Sequence, residues 1–273
     1  MDLLDRAVPV SELADDFIKM VIYGENRVGK TTLACQFPKP LLLVAMEPNK
    51  SGGARSVKKV PGVSYLRVDN SLDAVTLARQ IAARGYPYKT VVVDSATSYQ
   101  DIILKEILGL SHLPEQLNWG TVSRDQYRER SEKTREALRP YLDLECHVVV
   151  TAKQRDHNPP KDDKPEITRK QQHESFFAAD LGGATVGWLH DACDYIGRLY
   201  VDKETVVQER KVTLNGKTTL KREEVETGRV VRRLRTMYHP NYAAGFRSCD
   251  PDKVPEYIEE PTYDKIQAVI DGE

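Results

Sequence analysis

The sequence predicts an α/β domain: a doubly wound, mostly parallel sheet flanked by helices, with a C-terminal β-hairpin extension and an acidic tail. Three observations predict it. Apolar strand-like runs alternate with helix-like segments over residues 17–152. The run Thr90-Val91-Val92-Val93 is wholly β-branched, as suits the buried centre of a parallel sheet. A glycine-flanked turn, Gly24 to Thr31, lies between the first strand and the first helix.

Each element follows from local chemistry. Residues 17–24 form an apolar strand running into glycine, and 30–37 a helix stopped by Pro38. Residues 40–46 are a second apolar strand, while Pro48, Gly52, Gly53, Pro61 and Gly62 make 48–62 a loop. A strand from Val63 to Val68 precedes a helix from Ser71 to Arg84, capped by Asn70 or Ser71 and ended at Gly85. After Thr90–Val93 come a helix from Tyr99 to Leu108, a loop holding Pro114 and Gly120, and a polar helix from Val122 to Leu138. Cys146 to Thr151 is a buried strand; 153–183 is a long loop with three prolines and adjacent glycines. A short helix at 185–192, a strand from Tyr195 to Val201 and a hairpin over 205–236 turning at Asn215-Gly216 complete the pattern. The division expected is a core over 1–201, a β-rich extension of the same domain over 202–247, and an acidic tail over 248–273. That tail carries eight acids and two lysines, with a short helix near 262–270.

Composition narrows the function. Forty Lys and Arg against forty-one Asp and Glu give 273 residues a net charge of -1. A uniformly basic protein is excluded, so any nucleic-acid contact needs a local patch. Mean hydropathy is -0.52, and no run approaches the ~18 apolar residues of a membrane span. Acids follow Met1 where a signal peptide carries bases, so the expected location is the cytoplasm. Cys35, Cys146, Cys193 and Cys249 fit no zinc spacing and read as free thiols. His147 opens a buried strand and reads as a packing residue, not a ligand.

Gly24-Glu25-Asn26-Arg27-Val28-Gly29-Lys30-Thr31 matches G-x-x-x-x-G-K-[ST]. Its glycines let backbone amides wrap a phosphate, with the following helix adding its dipole. Residues 24–32, ending at Thr32, are the expected ATP cradle. Lys30 reaches the β- and γ-phosphates, and the Thr31 hydroxyl binds Mg²⁺. Asp94, at the end of an apolar strand, is the second metal-holding oxygen donor. Hydrolysis also needs a group that polarises water. Ser95, not Glu, follows Asp94, so the base lies elsewhere. Glu47 ends the strand after the P-loop helix, at the same sheet edge as the phosphates, and is the candidate.

With these residues the sequence resembles the RecA-like P-loop ATPases. That family carries a catalytic Glu where Glu47 stands and an Asp-Ser metal motif like Asp94-Ser95. Its next core strand ends in a Gln that senses the γ-phosphate, the position of Gln154. A DNA-binding loop follows, closing with Gly-Gly, a short helix and a strand, as at Gly182-Gly183 and onward. The order agrees over roughly 17–201. The compactness and Asn118-Trp119-Gly120 look like the phage-encoded branch associated with single-strand annealing and recombination. The N-terminal filament module of RecA has no counterpart in the ~16 residues before the first strand. The resemblance implies DNA-stimulated ATP hydrolysis with Mg²⁺, single-stranded DNA as partner, a ring or filament of copies, and a bacterial host cytoplasm.

Residues 153–173 hold six Lys and Arg against four acids, with Phe176-Phe177 just beyond. Arg155, Lys161, Lys164, Arg169, Lys170, Phe176 and Phe177 are the candidate DNA contacts, since bases stack on aromatics beside basic residues. The alternatives are a solvated loop and core packing of the two rings. Residues 202–236 are more basic, ten Lys and Arg against six acids, and Arg232, Arg233 and Arg235 suggest a phosphate-facing side. RecA-like ATPases complete their site with a basic finger from a neighbour. Arg247 is the candidate, with Arg233 and Arg235 as alternatives. A second functional reading is a nucleotide-dependent switch or loader that binds a replication or single-strand-binding protein and barely hydrolyses ATP. A third, a small-molecule kinase, lacks a suitable lid.

Overall fold

A computed structural model describes residues 17–46, 53–110, 113, 122–158, 175–214 and 217–273. Glu47, Lys161, Lys164, Arg169, Lys170, Trp119 and the Asn215-Gly216 turn lie outside the described residues.

The chain runs β1 (Lys19–Gly24), α1 (Lys30–Ala34), β2 (Leu41–Ala45), a 3₁₀ turn (Gly53–Val57), β3 (Val63–Arg67), α2 (Ser71–Ala83), β4 (Thr90–Asp94), α3 (Ala96–Leu108) and α4 (Arg124–Leu142). It continues as β5 (His147–Asp156), β6 (Phe177–Ala179), α5 (Gly183–Ala192), β7 (Tyr195–Leu214), β8 (Lys217–Arg235), β9 (Gly245–Phe246), β10 (Tyr257–Glu259) and α6 (Tyr263–Asp271). The main sheet has the order β10-β8-β7-β1-β5-β4-β2-β3. From β7 to β3 every neighbour is parallel. β8 and β10 add antiparallel at one edge. The order reverses at β1, which lies between β7 and β5, and such a switch point opens a crevice at the carboxyl ends of the strands.

Both faces of the sheet are covered, so its central strands are buried throughout. Leu41–Ala45 and Thr90–Asp94 have no exposed residue. On one face α2, α3, α4 and α5 pack Ala78, Ile103, Leu138 and Leu189 against Val21, Val44, Val91 and Val148. On the other, α1 and α6 pack Leu33 and Ile266 against Ile22, Leu43, Val92 and Val149. The caps follow the sequence: Asn70 accepts from the Asp73 amide, Ser95 from Ser98, and Ser123 with Gln126 forms a reciprocal capping box.

Five expectations change. α1 ends at Ala34, three residues early, while α3 starts at Ala96 because Ser95 supplies the cap. β5 continues to Asp156, and β6 pairs antiparallel with it from Gln154 to Asp156, so the expected 153–183 loop begins as strand and holds a second strand, Phe177–Ala179, before Gly182-Gly183. β7 runs unbroken into the hairpin, its register ending with Leu214 opposite Lys217. The acidic end is a tied part of the domain: β10 pairs with β8, and α6 buries Ile266 and Ile270. Eight acids conceal two apolar residues one helical turn apart.

His147 packs as expected. Its Nδ1 accepts from the Ile18 amide at 3.1 Å, and its ring meets Phe17, Phe37 and Tyr263 edge-on. Burial, and then the Lys19 ammonium, push its pKa below 6.5. Below about pH 6.5 the unfolded chain takes up a proton that the folded chain resists, so stability falls as pH drops toward the folded value. Urea midpoints at pH 7.5 and 5.5 check this: His147→Asn should show a shallower acid loss than the wild type. Among the described residues, no helix is long and apolar enough to cross a membrane.

Candidate functional site

The crevice at the end of β1 holds the P-loop. β1 delivers Gly24 against β7 so closely that an added Cβ would lie 2.1 Å from the Leu199 carbonyl oxygen. The turn then needs left-handed backbone at Arg27 (φ 66°) and Gly29 (φ 104°) before α1 begins. Val28 points into the core and Glu25 outward. Lys30 Nζ donates to the Gly24 carbonyl at 3.0 Å and to the Glu25 carbonyl at 2.6 Å, which holds the ammonium over the loop.

β4 brings Asp94 to the same edge, only 5 % exposed. Two hydroxyls hold its carboxylate: Thr31 donates to Oδ2 at 2.8 Å and Thr151 to Oδ1. Thr31 and Asp94 therefore form a pair of hard oxygen donors. Gly53 faces them. A Cβ there would come within 2.4 Å of Thr31 Oγ1 and 2.7 Å of Asp94 Oδ2, so only glycine leaves this space open. The donor set suits Mg²⁺, which takes one or two protein oxygens and completes its shell with phosphate and water. Bound there, the ion would neutralise phosphate charge.

The crevice is a cavity of about 670 Å³. Asn26, Arg27, Gly29, Lys30, Thr31, Thr32, Asp94 and Ser95 line it as expected. Arg55, Lys153 and Arg232 join them. Among the described residues, with Arg27 and Lys30 they make five cations around one carboxylate, a balance that matches a polyphosphate. Lys153, Arg55, Thr151 and Gly53 are the members that sequence reasoning missed. Thr151 has a readable signal: a hydroxyl where a run of valines reaches the sheet edge.

Gln154 sits next to Lys153 on β5 with its side chain toward β7, where Arg198 Nε donates to its Oε1 at 2.7 Å. Arg198 in turn stacks on Tyr242, 3.9 Å from the ring centre. Arg155, two residues after Lys153 on β5, faces a different space. It lines a second cavity of about 890 Å³ with Arg128, Arg130 and Arg135 of α4 and Gly182-Gly183 at the start of α5. Asp101, Glu132 and Asp180 lie among them, and Arg155 pairs with Asp180 at 3.7 Å. Burial raises the Asp101 pKa and lowers that of Arg130.

The other candidates are placed as follows. Phe177 stacks on Tyr242 at 5.5 Å and its carbonyl accepts from Tyr23, so it is a packing residue of β6; Phe176 is exposed. Arg233 and Arg235 are buried in ion pairs, the first with Asp202 and Glu259, the second with Glu256. Arg247 is exposed and pairs with Asp194, just before β7. That is the end of the strands away from the P-loop, since Tyr195 is in register with Met20 near the start of β1.

Comparison with curated proteins gives no match. Among solved structures, the chain is similar to a KaiC-like protein of the hyperthermophilic archaeon Pyrococcus horikoshii, at 13% identity and a TM-score of 0.34, covering 78% of this chain and 83% of that one. A phosphate-wrapping turn, an oxygen pair for Mg²⁺ and a ring of cations converge in the crevice, and residues 16–229 match the model of a family described as an AAA domain; the chain belongs to that family of P-loop ATPase domains.

Proposed function

We propose that this ATPase domain hydrolyses ATP with Mg²⁺ in response to single-stranded DNA and acts in annealing or strand exchange as an assembly of copies. The observation that carries the reading is the end of β5. Lys153 lines the phosphate crevice, and two residues on, Arg155 lines the arginine-bearing cavity that meets Gly182-Gly183. One rigid strand end thus touches both a nucleotide site and a surface suited to backbone phosphates. Gln154, between them, is the residue proposed to pass the nucleotide state along. In this reading Glu47 polarises the attacking water, Lys161, Lys164, Arg169 and Lys170 extend the DNA surface, and Arg247 completes a neighbour's site.

The test is ATP turnover with and without single-stranded DNA at two salt concentrations. Stimulation should fall as salt rises, since phosphate contacts release counterions. Arg155→Ala should lose most of the stimulation and keep the DNA-free rate. A flat, near-zero rate with normal ATP binding would instead favour the switch or loader, and a protein partner would be sought.

A further inference from the structure

Arg232 is the most unusual cation of the crevice, because it arrives from the far edge of the sheet. β8 runs antiparallel to β7, and Leu234 opposite Leu199 marks the level of Gly24. Arg232 lies two residues further along, on the face that Leu234 buries against α1, and so overhangs the P-loop. Its Nε donates to the Val28 carbonyl at 3.3 Å, across 204 residues of chain. A Cβ on Gly29 would stand 3.3 Å from the same nitrogen.

Glu260, the residue after β10, holds this arginine from behind. The Glu260 amide donates to the Arg232 carbonyl at 2.7 Å, and the Arg232 amide donates to Glu260 Oε1 at 3.0 Å. Glu260 Oε2 lies 3.9 Å from Arg232 Nη1. To do this Glu260 adopts φ 41°, a left-handed conformation that a non-glycine residue takes at a cost. Lys265 of α6 donates to the Glu259 and Glu260 carbonyls and fixes the bend. The clamp secures the arginine's backbone with two hydrogen bonds. It leaves a half-exposed guanidinium directed at the crevice.

We propose that Arg232 is a nucleotide-binding residue acting in cis: its guanidinium contacts a phosphate of the nucleotide seated on the P-loop of its own chain, and Glu260 positions it there. The inference rests on the reading of the crevice as an ATP site and adds a ligand to it from the C-terminal segment. A guanidinium suits this better than an ammonium, because one nitrogen can stay on the Val28 carbonyl while two others meet phosphate oxygens.

The experiment is titration of a fluorescent ADP and a fluorescent ATP analogue, with Mg²⁺, against the full chain and four variants. Lys30→Ala reports on the site itself and should lose binding. Arg232→Ala should weaken binding of at least one nucleotide about ten- to hundred-fold, the range for hydrogen bonds to charged groups, with its melting temperature near that of the wild type. Arg232→Lys should recover only part of the loss. Glu260→Gln should show a smaller loss and become more salt-sensitive. Mixing Arg232→Ala chains with Lys30→Ala chains should restore nothing. Unchanged affinity in Arg232→Ala beside lost binding in Lys30→Ala would overturn the inference and leave the ATP site standing. Unchanged affinity in both would overturn the two together. Restoration on mixing would overturn the assignment in cis. If Arg232→Ala melts early, Arg232→Lys decides: affinity equal to the wild type overturns the proposal, and a loss supports it.

Discussion

Asp94→Asn should lower Mg²⁺-dependent ATP turnover by about 10²–10³-fold, the range seen when one preorganised electrostatic contact to the reacting group is removed. The carboxylate is buried and its two oxygens are held by Thr31 and Thr151. The amide keeps the shape and removes the negative charge that would balance a divalent cation. Both hydroxyls can turn to satisfy an amide group, so the variant should fold with a melting temperature close to the wild type. Gly53→Ala reaches the same site by another route, since its methyl would fill the space beside Thr31 Oγ1 and Asp94 Oδ2. Its nucleotide affinity should fall in Mg²⁺ and stay near normal in EDTA. The measurement is steady-state ATP hydrolysis over a Mg²⁺ titration, with the melting temperature of each variant alongside. Full turnover in Asp94→Asn would remove Asp94 from the metal site.

Gly24→Ala should be the most damaging single methyl in the described structure. Its Cβ would stand 2.1 Å from the Leu199 carbonyl, a backbone atom that no rotamer change can move. β1 pairs with β5 on its other side, with Gly24 in register with Lys153, so neither neighbour can yield without disturbing the sheet. The cost should be about 3 kcal/mol, at the upper end for overpacking, or a melting point lower by roughly 6–12 °C. Differential scanning calorimetry checks it. A companion, Gly187→Ala, has nothing within 4 Å of the added Cβ and sits in α5, so it should be neutral or slightly stabilising.

The phosphate cradle was legible because its signals are local. Eight consecutive residues carry the glycines, Lys30 and Thr31, and a valine run ends in Asp94, the carboxylate that Thr31 meets. The alternation of strands and helices likewise showed the parallel sheet. What stayed hidden depends on strand order. Nothing near Arg232 says that β8 lies two strands from β1, or that Glu260 will bend beneath it. Lys153 and Arg155 looked like loop residues because a strand end leaving the core is polar on both faces. Phe177 looked like a stacking platform because its partner, Tyr242, is 65 positions away and follows no pattern. The acidic end read as a tail because charge masks the two isoleucines that anchor it.

The place of β1 bears on how the chain reaches this state. The strand that opens the described structure is also the sheet's centre, and its flanks are β5 and β7. The Ile18 amide finds His147 across 129 positions, and the arginine above the P-loop is 204 positions from the carbonyl it touches. During synthesis Met20-Val21-Ile22-Tyr23 therefore emerges long before either of its ladders exists. Such nonlocal pairing makes folding slow and leaves an apolar ribbon unpaired on both edges meanwhile. A ribosome-bound chain that stops short of β7 is half a sheet with a bare edge, ready to associate with its own kind or to need a chaperone. Within the described structure, the P-loop is thus made well before Lys153 and Arg232, the residues that complete its crevice.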